Sequence, residues 1–199
     1  MHLLPGFLSL ERQRNLLAEV RDVVARAPLY SPAMPRSGSP LSVRMSNCGS
    51  LGWLSDRSGY RYSATHPVTG APWPEIPRPI LELWHETTGA AYAPEACLIN
   101  CYGPTAKLGL HRDEDEDAKE APILSISLGD TALFRLGGPA RKSPTRSFRL
   151  GSGDLMILEG PSRHWFHGVD RILPGTSQLL PEGGRINLTL RRVTVPWRR

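Results

Sequence analysis

The chain is poor in cysteine, with only Cys48, Cys97 and Cys101 among its 199 residues. An odd and sparse count excludes a disulfide framework and fits a reducing compartment, so a cytoplasmic location is expected. Cys97 and Cys101 have no CxxC pair beside them, which makes a zinc–thiolate site a poor reading. Long hydrophobic runs are also missing: no stretch approaches the ~20 apolar residues that a membrane helix needs. The start, M-H-L-L-P-G-F, has neither a basic n-region nor a long h-region, so no signal peptide is expected. Internal repeats, low-complexity tracts and a separating linker are lacking too. A single domain with a sizeable core is the expectation at this length.

Glycine and proline are plentiful, at 19 each, and are scattered rather than clustered, which favours a turn-rich β fold. The formal charge is +5 and the pI about 9.4, a mildly basic balance that suits a polyanion. Asp113 to Asp117 form an acidic run, so the remaining surface is more basic than the total implies. Arg12, Arg14, Arg36, Arg44, Arg57, Arg61, Arg141, Lys142 and Arg146 all lie outside that run.

Ser9 is a plausible N-cap, with Glu11 in the first turn. Leu16, Leu17, Val20, Val23, Val24 and Ala27 follow at helical spacing until Pro28 closes the helix. A polar stretch covers 31–40, and 41–75 reads as short strands or ordered loops. A second helix is expected over Pro79–Thr88, ending at Gly89. Beyond residue 95 the pattern changes to short strands with turn punctuation: Ala96–Tyr102, Leu108–Asp113, Ile123–Leu128, Ala132–Leu136, Ser147–Leu150, Asp154–Leu158, Trp165–Gly168 and Arg185–Arg192. Strands at this spacing suggest a mainly β (α+β) fold, a double-stranded β-helix or jelly roll with the N-terminal helices packed on one sheet.

The chemistry is concentrated in L-G-L-H-R-D-E-D and H-W-F-H-G-V. Residues i and i+2 of a strand share a face, so His111 and Asp113 can reach one ion, with His167 as a third ligand from a distant strand. Two imidazoles and one carboxylate form the facial triad of non-haem Fe(II), which leaves positions open for a co-substrate and O2. An H-x-D triplet alone is weak evidence, and its surroundings decide. In R-I-N-L-T-L-R, Arg185, Asn187, Thr189 and Arg191 share one face, with Ile186, Leu188 and Leu190 on the other. If the polar face points inward, two arginines must meet anions, because a buried unpaired guanidinium is costly. A small dicarboxylate satisfies that need through bidentate pairing. In L-I-N-C-Y, Asn100 and Tyr102 share a face and can donate into the same cavity. Trp53, flanked by Gly52 outside any apolar stripe, is a candidate stacking platform, whereas Trp73 and Trp165 read as core.

Taken in order, L-I-N-C-Y-G-P-T-A-K-L-G-L-H-R-D-E-D-E, A-P-I-L-S-I-S-L-G, S-R-H-W-F-H-G-V and R-I-N-L-T-L-R resemble the AlkB family of Fe(II)/2-oxoglutarate dioxygenases, most nearly its bacterial alkylation-repair type. M-S-N-C-G-S-L-G-W, G-Y-R-Y-S and P-W-P resemble that family's nucleotide-recognition region, so the likeness covers roughly residues 43–192. The resemblance implies Fe(II) held by His111, Asp113 and His167. It implies 2-oxoglutarate bound by Asn100, Tyr102, Arg185, Asn187 and Arg191, with Arg185 on the distal carboxylate and Arg191 at the chelating end. It implies a base sandwiched by Trp53 and His111, an entrance lined by Tyr60 and Met45, Asp115 and Glu116 near the polar edge of the base, and Arg141 on nucleic acid. Residues 1–95 then carry the helices and the recognition lid, and 96–199 the catalytic core, within one continuous structural domain. The implied reaction consumes 2-oxoglutarate and O2 and removes N-methyl groups from bases such as 1-methyladenine and 3-methylcytosine, in single- or double-stranded DNA or in RNA, as formaldehyde. A monomer with no membrane partner is expected. Glu114 stands where family members often carry a basic or neutral residue, which bears on lesion and strand preference rather than on the chemistry. The rival readings are the same oxidation of another substrate (modified RNA, a protein or a small molecule), a non-enzymatic jelly-roll module that binds nucleic acid, and a zinc hydrolase.

Overall fold

The computed structural model describes residues 1–196. Helix α1 spans Leu10–Arg26, and the Ser9 side chain accepts from the Arg12 amide. Helix α2 spans Arg78–Thr88, with proline in its first turn and Gly89 closing it in the left-handed region. Both agree with the sequence reading to within a residue or two. The strands are β1 (His2–Leu4), β2 (Val43–Cys48), β3 (Gly52–Asp56), β4 (Gly59–Ser63), β5 (Ala96–Tyr102), β6 (Leu108–His111), β7 (Ile123–Gly129), β8 (Thr131–Leu136), β9 (Arg146–Leu150), β10 (Leu155–Leu158), β11 (His167–Leu173) and β12 (Arg185–Arg191).

Two antiparallel sheets face each other. The larger has the order β1-β10-β7-β12-β5-β2 and the smaller β6-β11-β8-β9, while β3 and β4 form a separate hairpin. This is the expected jelly roll. Alternation along each strand makes two apolar layers. Leu188 and Leu190 of β12, with Cys97 and Ile99 of β5, pack outward under Leu16, Val20 and Val23 of α1 and Ile80, Leu83 and Trp84 of α2. Leu98 and Tyr102 face inward, towards Phe134 and Leu136 of β8. The helices therefore cover one sheet and leave the space between the sheets for chemistry. Cys48, Cys97 and Cys101 all belong to the helix-side layer.

Three strand boundaries differ from the sequence reading by more than one residue. β6 stops at His111, so Asp113 lies beyond the ladder. Its carbonyl accepts instead from buried Arg163, which draws the chain out of the sheet. The segment before His167 forms a 3-10 turn over Gly160–His164, and β11 then runs on to Leu173. Residues 1–95 also supply strands to the large sheet: β1 pairs with β10, and β2 with β5. Sequence patterning missed β1 because three residues are too short to display a period.

The 173–184 loop, which offers no readable role in sequence, is tied down by the buried carboxylate of Asp130. That group accepts from the amides of Thr176, Ser177 and Gly184. Gly184 has φ +87°, and a Cβ there would lie 2.7 Å from the Tyr102 carbonyl oxygen. The loop can therefore close on β5 and start β12 with Arg185 turned inward.

Candidate metal centre and its cavity

His111 and His167 are direct partners across β6 and β11. The pairing is tight: a Cβ at Gly168 would sit 2.6 Å from the Leu108 carbonyl oxygen. The two imidazole centroids lie 4.5 Å apart. Each ring bonds through Nδ1 to a backbone carbonyl, His111 to Gly109 at 2.9 Å and His167 to Trp165 at 3.0 Å. A carbonyl can only accept, so both Nδ1 atoms carry the proton and both Nε2 lone pairs are free to bind a cation. The Asp113 carboxylate faces them, with Oδ1 at 3.9 Å from His111 Nε2 and Oδ2 at 3.6 Å from His167 Nε2. The three donor groups lie within 4.8 Å of one another. Asp113 Oδ2 is buried with no hydrogen-bond partner, which is costly unless something else, such as a metal ion, satisfies it.

The electrostatics agree with a cation site. Burial pushes the Asp113 carboxyl up, but Arg191, His167 and His111 outweigh it, and the group is held well below its usual range. Burial and the neighbouring His111 push His167 down to about 4, so its imidazole is a neutral ligand at ordinary pH. Two neutral nitrogens and one carboxylate oxygen on one side of a cavity fit a mononuclear Fe(II) centre. The zinc–thiolate alternative loses its ligands, since the cysteines lie behind the sheet.

A cavity of about 440 Å³ opens between the sheets beside these groups. Arg185, Asn187, Thr189 and Arg191 of β12 line it, as do Asn100 and Tyr102 of β5. The inward reading of the polar face is therefore what the structure has. Arg185 is 3% exposed. Its Nη1 donates to the carbonyls of Leu150 and Asp130, its Nη2 donates to Ser127 Oγ at 2.7 Å, and its Nε has no partner. Among the described residues Arg185 has no carboxylate within ion-pair distance, and burial lowers it to about 10. Burial likewise raises the nearby Tyr102 phenol to about 12, so it remains a donor. Asn100 Oδ1 is also buried without a partner. Arg185 and Tyr102 thus turn donors towards the cavity, a setting that suits a small anion.

Arg191 has a different setting. Its Nη2 donates to Asp113 Oδ1 at 2.8 Å and its Nη1 to the Tyr62 hydroxyl at 3.2 Å, so the metal carboxylate and β4 share it. At the mouth of the cavity, Trp53 and Tyr60 of the β3–β4 hairpin stack with centroids 5.6 Å apart and planes 18° apart. Trp53 Nε1 donates to Asp115 Oδ2 at 2.8 Å. Met45 lines the cavity from β2, and Arg141 reaches its rim, donating to the Leu110 carbonyl. Glu116 is placed apart from the others. It is 2% exposed, lies outside the cavity wall, and pairs with Arg163 at 2.9 Å.

Sequence reasoning missed several residues that build the site. Ser125 and Ser127 are the polar beats of I-L-S-I-S-L-G, and period-two alternation on β7 identifies them. Arg163 clamps the acidic run through Asp113, Glu116 and Ala121. An arginine in an otherwise aromatic and histidine-rich motif is its only sequence signal. Arg112 lines the cavity, lies over the Phe166 ring at 4.9 Å and pairs with Glu114 at 2.6 Å. Glu114 is therefore engaged by its own neighbour.

Comparison with known proteins agrees with this geometry. Residues 1–191 match the model of the 2OG-Fe(II) oxygenase superfamily. The chain is 54% identical over 188 residues to an alpha-ketoglutarate-dependent dioxygenase AlkB homolog of Caulobacter vibrioides, covering 94% of this chain and 85% of that protein. It is 40% identical over 182 residues to the alpha-ketoglutarate-dependent dioxygenase AlkB of Escherichia coli, covering 89% of this chain and 83% of that one. The solved structure of OsALKBH1 superposes with a TM-score of 0.83 at 32% identity, covering 96% and 95% of the two chains.

Proposed function

This chain belongs to the 2OG-Fe(II) oxygenase superfamily and within it to the AlkB dioxygenases, and on that premise we propose that it removes N-methyl groups from alkylated bases in DNA, with RNA as a second polymer substrate. The observation that carries the reading is Arg185: a buried cation with no carboxylate partner among the described residues, in the same cavity as an inward His-Asp-His cluster. When bound, Fe(II) and 2-oxoglutarate use O2 to oxidise the N-methyl carbon, and succinate, CO2 and formaldehyde leave.

The chain's own residues hold and orient the participants. His111, Asp113 and His167 would hold the metal, with the two imidazole protons already directed away from it to backbone carbonyls. Arg185 takes the distal carboxylate of the keto acid, helped by Tyr102. Asn100 offers its amide along the body of the co-substrate, and Asn187, bonded to Ser125, Ile126 and Thr189, holds the polar wall beside it. Arg191 sits at the metal end and acts there through Asp113. Burial of these groups excludes water and strengthens each charge–charge contact.

Trp53 and His111 flank the space where a flat ring can stack, and Asp115 fixes the Trp53 indole from its edge. N-methylation of a ring nitrogen leaves positive charge on the base, so an acidic run beside the platform favours damaged over normal bases. A pairing nitrogen is hidden in the duplex, so the base must be flipped or single-stranded, and a methyl there has already weakened its pairing. Met45 and Tyr60 line the entrance, and Arg141 contacts the polymer backbone. Glu116, 2% exposed, lies behind this wall and pairs there with Arg163. Residues 1–95 act as recognition elements and 96–199 as the catalytic core. The protein works as a monomer. Three free thiols suit the reducing cytoplasm, and among the described residues no helix is long and apolar enough to cross a membrane.

Competition separates a polymer substrate from a small molecule. A single-stranded oligonucleotide bearing 1-methyladenine or 3-methylcytosine will be repaired far faster than the free methylated nucleoside at equal concentration. Equal rates contradict the assignment to nucleic acid. Arg185→Ala will raise the KM for 2-oxoglutarate, because truncating one side of a buried, hydrogen-bonded charge pair costs about 2–5 kcal/mol, roughly thirtyfold or more in affinity. An unchanged KM sinks the role of Arg185.

A further inference from the structure

We propose that Tyr62 is a positioning residue that ties the aromatic hairpin to the metal-binding carboxylate, so that occupancy of the base platform is felt at Asp113. This deepens the proposed function and rests on it. The β3–β4 hairpin belongs to neither large sheet. Two of its side chains reach the acidic run that begins at Asp113. Trp53 bonds to Asp115, and Tyr62, its partner across the hairpin, bonds to Glu116.

The Tyr62 contact is the buried one, and it branches. The phenol donates to Glu116 Oε1 at 2.5 Å and accepts from Arg191 Nη1 at 3.2 Å. Burial, followed by the charge of Glu116 and its bond, holds this phenol well above its usual range even against Arg191, so it stays a donor. Glu116 is itself fixed, because Arg163 Nη2 holds its other oxygen at 2.9 Å. Arg191 is less constrained. Only its bonds to Tyr62 and to Asp113 Oδ1 hold the guanidinium among the described residues, and its Nε lies 3.5 Å from Glu116 Oε1 without a hydrogen bond.

Arg191 decides which Asp113 oxygen remains free. With Oδ1 taken, Oδ2 is the buried atom without a partner that faces His167. Tyr62 holds one of the two arms of Arg191. Movement of the hairpin as a base enters between Trp53 and His111 therefore reaches Asp113 through three contiguous groups. If Tyr62 only satisfied a buried carboxylate, its loss would lower stability and leave the metal centre unaltered.

Tyr62→Phe keeps the ring and deletes both bonds. The protein loaded with Fe(II) and 2-oxoglutarate is examined by anaerobic visible absorption, with and without a methylated oligonucleotide, and by succinate formed per base repaired. The variant is expected to show an altered Fe(II)–keto acid spectrum without oligonucleotide and a smaller response to its addition. It should also show a roughly two- to thirtyfold rise in succinate per repair, with the KM for 2-oxoglutarate unchanged. A spectrum, response and ratio equal to wild type, with only the melting temperature lowered, overturn the proposal. If wild type itself repairs no oligonucleotide, the substrate reading fails, while the oligonucleotide-free spectra still decide the link to Asp113. Should Tyr62→Phe not fold, Glu116→Gln weakens the same bond while keeping an acceptor. It is expected to move both readouts in the same direction, and a wild-type response in Glu116→Gln then rejects the proposal.

Discussion

Asp113→Ala abolishes formaldehyde release and leaves a folded protein that no longer retains Fe(II). The carboxylate supplies one of three donors, and losing even a hydrogen-bonded partner of a metal ligand costs roughly 10–100-fold in affinity, so losing the ligand costs more than about a hundredfold. The fold survives because Arg191 keeps a nearby carboxylate: Glu116 Oε1 is 3.5 Å from its Nε and can accept it once Asp113 is gone. Metal titration and formaldehyde assay on the same preparation check both halves. Retained turnover refutes the triad.

Arg163→Ala has the largest expected effect on stability. Arg163 and Glu116 have side chains 2% and 1% exposed and meet at 2.9 Å. The arginine also donates to the carbonyls of Asp113 and Ala121. Removing one member of a buried pair leaves the other charged and desolvated, which costs about 3–5 kcal/mol. For a chain of this size each kcal/mol is worth about 2–4 °C, so the melting temperature should fall by roughly 6–20 °C. The double variant Arg163→Met with Glu116→Gln should recover part of the loss, since no uncompensated charge remains. Chemical denaturation of the three proteins measures this. A single variant as stable as wild type shows that the acidic run does not depend on the clamp.

Much of this architecture is legible in the chain because its periodicities are strong. In R-I-N-L-T-L-R the alternation separates Leu188 and Leu190 from Arg185 and Arg191, and the structure puts the first pair in the helix layer and the second in the cavity. The Ser9 cap and the apolar stripe behind it locate α1 for the same reason. Asp113 is placed correctly beside His111 but for an incomplete reason. Strand alternation makes the triplet plausible, yet β6 ends at His111 and long-range bonds from Arg163 and Arg191 hold the aspartate. Such bonds span about 50 to 80 residues and leave no local pattern. The roles of Tyr62 and Arg163 are hard to read in sequence on the same grounds. Glu116 belongs to an acidic run that reads as a single feature, whereas burial separates its members: Asp115 meets Trp53 at the rim and Glu116 lies beneath it.

The most direct measurement is the mass of a single-stranded oligonucleotide carrying one 1-methyladenine after aerobic incubation with the protein. With Fe(II) and 2-oxoglutarate both present, the strand will lose one methylene unit while formaldehyde and succinate accumulate. Omission of either, or of O2, will leave it unchanged. Loss of that mass without 2-oxoglutarate, or an unchanged strand in the complete mixture, contradicts the account.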